Sequence, residues 1–84
     1  MADLTSMQNI GKEIARKLAS IGIDSAEELR RVGSKEVFFR LKIRYSNLCL
    51  VHLYALQGAI DSIAYNQLSE EIKRDLKKFG DELK

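Results

Sequence analysis

Proline and tryptophan are absent from this 84-residue chain, and cysteine and histidine occur once each, as Cys49 and His52. Without proline no helix is ended by a missing N–H, so helix boundaries must be set by glycine and by capping side chains. A single cysteine closes no internal disulfide, and nothing in the chain asks for an oxidising compartment. Two soft ligands fall short of the set that holds a structural zinc, so no metal site is expected. Cys49 and His52 read instead as a small thiol and a hydrogen-bonded histidine in an apolar segment. A Cys-His nucleophile would need an oriented base and an oxyanion hole. There is also no phosphate-cradling glycine loop, no paired-acid constellation and no cofactor fingerprint. The chain is therefore expected to be non-enzymatic, with no cofactor and no small-molecule substrate.

Long apolar runs are missing as well. The N-terminus lacks the basic segment and apolar stretch of a secretory signal. Residues 48–56 are the most apolar part, yet they are interrupted by His52 and are too short to span a membrane. A single cytoplasmic domain without membrane contact is expected. Alternation of period two is sustained nowhere, which leaves an all-α fold.

Start and stop signals divide the chain into five or six helices. A short helix near residues 3–8 runs into a hairpin at Asn9-Ile10-Gly11. The next spans about residues 12–21 and is capped by Gly22. Ser25 and Glu28 form a capping box for a third helix that turns Leu29 and Val32 inward and stops at Gly33. Ser34 is expected to cap a fourth helix through Arg44, with Val37, Phe38, Leu41 and Tyr45 as its stripe. Ser46-Asn47 is expected to cap a fifth, from Leu48 to about residue 65, apolar nearly all round in its first half. Such a helix is the buried axis of a small bundle, and Gly58-Ala59 would admit another helix closely. Ser69-Glu70-Glu71 opens the last helix, with acidic residues at its positive end and Ile72, Leu76, Phe79 and Leu83 as its apolar positions.

The segment Asn9-Ile10-Gly11-Lys12-Glu13-Ile14-Ala15-Arg16-Lys17-Leu18 is the most informative. It reads as a tight turn launching a helix, with Gly11 supplying a conformation or approach that a side chain would obstruct. This is how a helix-hairpin-helix element is written. In a working one, backbone N–H groups of Asn9, Ile10 and Gly11 and the positive helix end hold a phosphate oxygen, with charge added by Lys12 and Arg16. Such a contact positions DNA without reading its sequence. Many such hairpins only join helices, and Glu13 weakens the local field. A faint echo, Val32-Gly33-Ser34-Lys35-Glu36-Val37, fits a tandem unit, and a shared preference for glycine between helices accounts for it almost as well.

Net charge is only +2, but residues 30–44 carry six cations against Glu36 alone. Lys35, Arg40 and Arg44 are the candidates there, with Arg40 and Arg44 sharing a face. They either attract phosphate or form a solvated surface facing acidic residues such as Glu27, Glu28 or Glu70-Glu71.

The chain resembles the C-terminal domain of TfoX/Sxy-type competence regulators. The match runs through Asn9-Ile10-Gly11, Ile21-Gly22-Ile23, Glu28-Leu29-Arg30-Arg31-Val32-Gly33 and Arg40-Leu41-Lys42. It continues through Leu53-Tyr54-Ala55-Leu56-Gln57-Gly58-Ala59, its most specific part, to Leu68. Tyr65 and Ser69 stand where the family often has tryptophan and proline. The family's usual α/β domain does not precede it, so a stand-alone copy is expected. The resemblance implies a regulatory or DNA-associated role. The expected fold is a compact all-α bundle of five to six helices around a helix-hairpin-helix-like core. Asn9, Ile10, Gly11, Lys12, Arg16, Lys35, Arg40 and Arg44 are the candidate DNA contacts. Association with itself or with another protein in transcriptional regulation is the second expectation.

Overall fold

In the computed structural model, residues 4–83 are described, and every regular element among them is helical. A 3-10 turn at Leu4–Ser6 precedes α1 (Lys12–Ser20), α2 (Ala26–Val32), α3 (Ser34–Arg44) and α4 (Leu50–Asp61). A second 3-10 turn at Tyr65–Gln67 leads into α5 (Glu70–Glu82). The all-α architecture matches the expectation from pattern. Of the helix expected over residues 3–8, the Leu4–Ser6 turn is helical, and Asp3 lies outside the described residues.

α4 is the axis: it touches α2, α3, α5 and the Tyr65–Gln67 turn. Its Leu53 and Leu56 are fully buried, against Leu18 of α1, Leu29 of α2, Val37 and Phe38 of α3, and Leu76 of α5. Burying each leucine completely stabilises the fold by about 1.5–3 kcal/mol. The connecting segments add Leu4, Met7, Ile10, Ile23, Leu48 and Leu68 to the same core, so the loops are pinned rather than draped over it.

Helix ends follow local chemistry. Beyond α1, Gly22 and Ile23 donate back to the Ala19 and Leu18 carbonyls at 3.1 and 2.9 Å. Ser25 accepts from the Glu28 N–H at 3.2 Å, but the Glu28 carboxylate turns to Arg31, 2.7 Å away, instead of completing a capping box. Gly33 ends one helix and starts the next. Its N–H bonds the Leu29 carbonyl at 2.9 Å, and its carbonyl accepts from Val37 at 3.1 Å. Its φ of 93° with ψ of 153° is a conformation that only glycine adopts cheaply. Ser34 is therefore the first helical residue and not the cap. Its hydroxyl points inward and donates to Gln57 Oε1 on α4 at 2.5 Å.

Two boundaries of the fifth expected helix differ. It starts after Cys49, whose N–H donates to His52 Nδ1 at 3.2 Å, so His52 supplies the cap that Ser46-Asn47 was expected to give. It ends at Asp61, because Ser62 turns left-handed (φ 61°) and the Ile63 N–H returns to the Gly58 carbonyl at 2.9 Å. Ile63 and Ala64, apolar residues just beyond Asp61-Ser62, hid that stop.

Gly58 does admit a close neighbour, but not a helix. A Cβ there would run into the Asn9 side-chain nitrogen and lie 2.6 Å from the Ile63 carbonyl oxygen. Gly58→Ala is therefore expected to cost about 1–3 kcal/mol through forced displacement, on the order of 10 °C in Tm for a domain of this size. Gly80 lies inside α5, where a Cβ would meet only the flexible tip of Leu50, at 3.2 Å. Gly80→Ala is expected to fall within about 1 kcal/mol of the parent, because helix propensity offsets that contact. Thermal melts of the two variants check the contrast.

Candidate nucleic-acid interface

The hairpin before α1 is built around Asn9, which adopts φ 71°. Asparagine tolerates this left-handed backbone better than other residues with a side chain. The Asn9 amide nitrogen donates to the carbonyls of Ile63 (3.0 Å) and Ala55 (3.4 Å), and its oxygen accepts from the Tyr65 N–H at 3.2 Å. The side chain is thus spent on the fold. Ile10 is buried in the core beside it. Gly11, expected to need special backbone freedom, has φ −93° and ψ −178°, ordinary extended values, and a Cβ there would touch nothing within 4 Å. Asn9 carries the unusual conformation instead.

Gly11 is the N-cap of α1 and, lacking a side chain, gives no capping hydrogen bond. The first N–H groups of any helix have no acceptor within it, and here they open beside the exposed Lys12. Lys12 has no ion-pair partner among the described residues. One turn on, Arg16 holds Glu13 at 2.5 Å, with the two side chains 77% and 64% exposed. A pair so open to solvent contributes little and is easily exchanged for another anion.

The candidates on α3 part company. Lys35 turns to α5, bonding Asp75 at 2.6 Å and lying 5.8 Å from the Phe79 ring. Arg40 pairs within its own helix with Glu36 at 3.0 Å. Arg44, one turn further, lies 6.0 Å from the ring of Tyr45. Tyr45 leaves α3 in an extended conformation and reaches α1, its hydroxyl 3.0 Å from that of Ser20. Lys17 stands 5.2 Å from the same ring. Lys12 and Arg16 thus mark one part of α1 and Arg44 is drawn to its far end, while Lys35 belongs to a different side of the bundle. Sequence reasoning missed Lys17 and Tyr45. Each adjoins a candidate in the chain, but only the packing of α1 on α3 brings them together.

This cluster acts on Tyr45. The Ser20 hydroxyl, then the Arg44 guanidinium and the charge of Lys17, hold its phenol below the ordinary 10.0. Ionisation therefore favours the folded state. That contribution is present at and above the ordinary value and is lost as pH falls through the lowered one. Tyrosinate absorbance in an alkaline titration is expected to include a component below the ordinary phenol value that is lost in Tyr45→Phe.

Elsewhere, Val32, Phe39, Gln57, Ile72, Phe79 and Leu83 line an open cleft of about 810 Å³ between α3 and α5. Phe39 at this cleft and Ile43 one turn further along α3 are 42% and 72% exposed. Among the described residues no three or more His, Cys, Asp or Glu side chains gather to hold a metal, and no helix is long and apolar enough to cross a membrane.

The fold defines a small all-helical domain with a pinned N-terminal hairpin and a cationic first helix. The chain belongs to the TfoX C-terminal domain family, whose model matches residues 1–79. Family membership points to a competence-related function. An uncharacterized Listeria monocytogenes protein, solved in a triclinic crystal form, is 43% identical with a TM-score of 0.96, over 98% of this chain and 93% of that one. A protein of unknown function from the same organism, in a tetragonal form, is 42% identical with a TM-score of 0.94, over 96% and 100%. No curated protein matches the chain significantly.

Proposed function

We propose that this domain is a non-enzymatic accessory module that holds DNA by its backbone phosphates in a competence-type regulatory setting. The observation that carries the reading is the start of α1, where an uncapped helix N-terminus opens beside Lys12 with Arg16 one turn on. The N–H groups and helix dipole supply directed donors, and the two cations supply charge. Asn9 and Ile10 take part by shaping the turn, and Arg40 and Arg44 add positive potential from α3. Lys35 contributes less, being held by Asp75. Contacts of this kind are independent of DNA sequence.

Binding to a short labelled duplex is expected to weaken from about 50 to 200 mM salt, with a log–log slope near one per phosphate neutralised. Lys12→Glu is expected to reduce both affinity and slope. Gly11→Ser gives a sharper test, because a serine at this N-cap fits sterically and would occupy the same N–H groups. It should stabilise the fold by about 0.3–1 kcal/mol while weakening DNA binding. Absence of binding at low salt, or unchanged affinity in Gly11→Ser, would sink this reading.

The exposed Phe39 and Ile43 favour a second reading, association with a protein or with another copy of the chain and no DNA contact. It predicts a concentration-dependent mass in sedimentation equilibrium, or a partner interaction, lost in Ile43→Ser. A monomer at all concentrations whose partner binding ignores that substitution would argue against it.

A further inference from the structure

The far end of α1 carries a second cationic cluster, removed from Lys12 by most of the helix length. Lys17, Ser20, Arg44 and Tyr45 meet there, joined by the 3.0 Å contact between the two hydroxyls and the approach of both cations to one ring. The ring attracts these cations but does not neutralise them. Nor does a carboxylate: among the described residues Glu13 pairs with Arg16, Glu28 with Arg31 and Glu36 with Arg40, and neither Lys17 nor Arg44 enters an ion pair.

Cations at helix C-termini often serve only to complement the dipole, and both α1 and α3 end here. Two such termini amount to about one negative charge in all. The final carbonyls are moreover partly satisfied: the Lys17 carbonyl accepts from Ser20 at 2.6 Å, and Leu18 and Ala19 carbonyls accept from residues 21–23. Two full positive charges therefore exceed what the helix ends require. Lys42, by contrast, is spent within the fold: its ammonium bonds the Ser46 and Leu48 carbonyls of the segment between α3 and α4 at 3.1 and 2.6 Å.

We propose that Lys17 and Arg44, set by Tyr45 and Ser20, hold a second phosphate of duplex DNA, so that α1 lies along one strand with a contact at each end. The inference rests on the reading of the domain as a DNA-backbone binder. Each cation gives a charge-assisted hydrogen bond to a phosphate oxygen, with Arg44 able to bond two oxygens at once. Their approach to the ring restrains both side chains beforehand and lowers the ordering cost on binding. Eight residue steps along α1 cover about 12 Å, enough to place the two contacts on different phosphates of one strand.

Amide correlation spectra of the intact chain, titrated at low salt with a duplex of about 12 base pairs, test both sites at once. The expected result is displacement of the amides of Gly11, Lys12 and Glu13 together with those of Ser20, Ile21 and Tyr45. The double variant Lys17→Ser, Arg44→Ser is expected to keep its amide dispersion, lose about tenfold in affinity and lower the salt slope by about one. Displacement at the hairpin alone, with the double variant binding like the parent, overturns this inference and leaves the hairpin reading standing. Displacement at Ser20 and Tyr45 alone supports the Lys17–Arg44 contact but overturns the hairpin reading and, with it, a contact at each end of α1. No displacement anywhere overturns both.

Discussion

One asparagine side chain joins the two halves of this domain. Asn9 bonds the carbonyls of Ala55 and Ile63 and the N–H of Tyr65, across separations of 46 to 56 residues. No helix of the bundle spans that gap. The N-terminal turn would otherwise be held by the burial of Leu4, Met7 and Ile10, which fixes depth but not direction. Directional bonds to a helix end and to the segment leaving it fix both. Gly58 is the other half of this arrangement, because only a residue without a Cβ lets the amide come so close. The left-handed backbone at Asn9, the early stop of α4 at Ser62 and the tight turn at Tyr65 all meet at this contact.

The same constraint governs the surface. With Asn9 turned inward, Gly11 is presented in an extended conformation and α1 begins without a cap. α1 then runs from a fixed start and packs against α3, so that Tyr45 meets Ser20. Cations distributed along the chain are sorted by this packing into groups. Some are paired within a helix, as Arg31 and Arg40 are; some bridge helices, as Lys35 does; and some, as Lys17 and Arg44, stand against an aromatic ring instead of a carboxylate. A net charge of +2 says little about the outcome, because what matters is which cations the fold leaves without counter-charge.

Most of the fold was legible in the chain, since each helix is patterned and several ends carry local signals such as Gly22, Ser25, Gly33 and Ser69. The misread ends are those set by tertiary contact or by an unusual residue. His52 caps α4 from a position normally given to glutamate or glutamine. Ser62 stops it just before Ile63, an apolar residue needed by the core and not by the helix. Gly11 drew attention as the glycine of the hairpin, whereas the strained backbone lay at Asn9, whose purpose depends on residues more than forty positions away. Of the candidate site, Lys12 and Arg16 follow from helical spacing alone. The Lys17–Tyr45–Arg44 grouping required knowing that α1 and α3 touch, which no local pattern encodes.

The long reach of Asn9 also orders events during synthesis. A chain emerging from the ribosome N-terminus first can form α1 through α3 from local signals. The bend at Asn9 has nothing to bond until Ala55, Ile63 and Tyr65 have been added. The turn that presents Gly11 and Lys12 is thus among the first segments made, while the full set of partners for its asparagine is present only once residue 65 has been added.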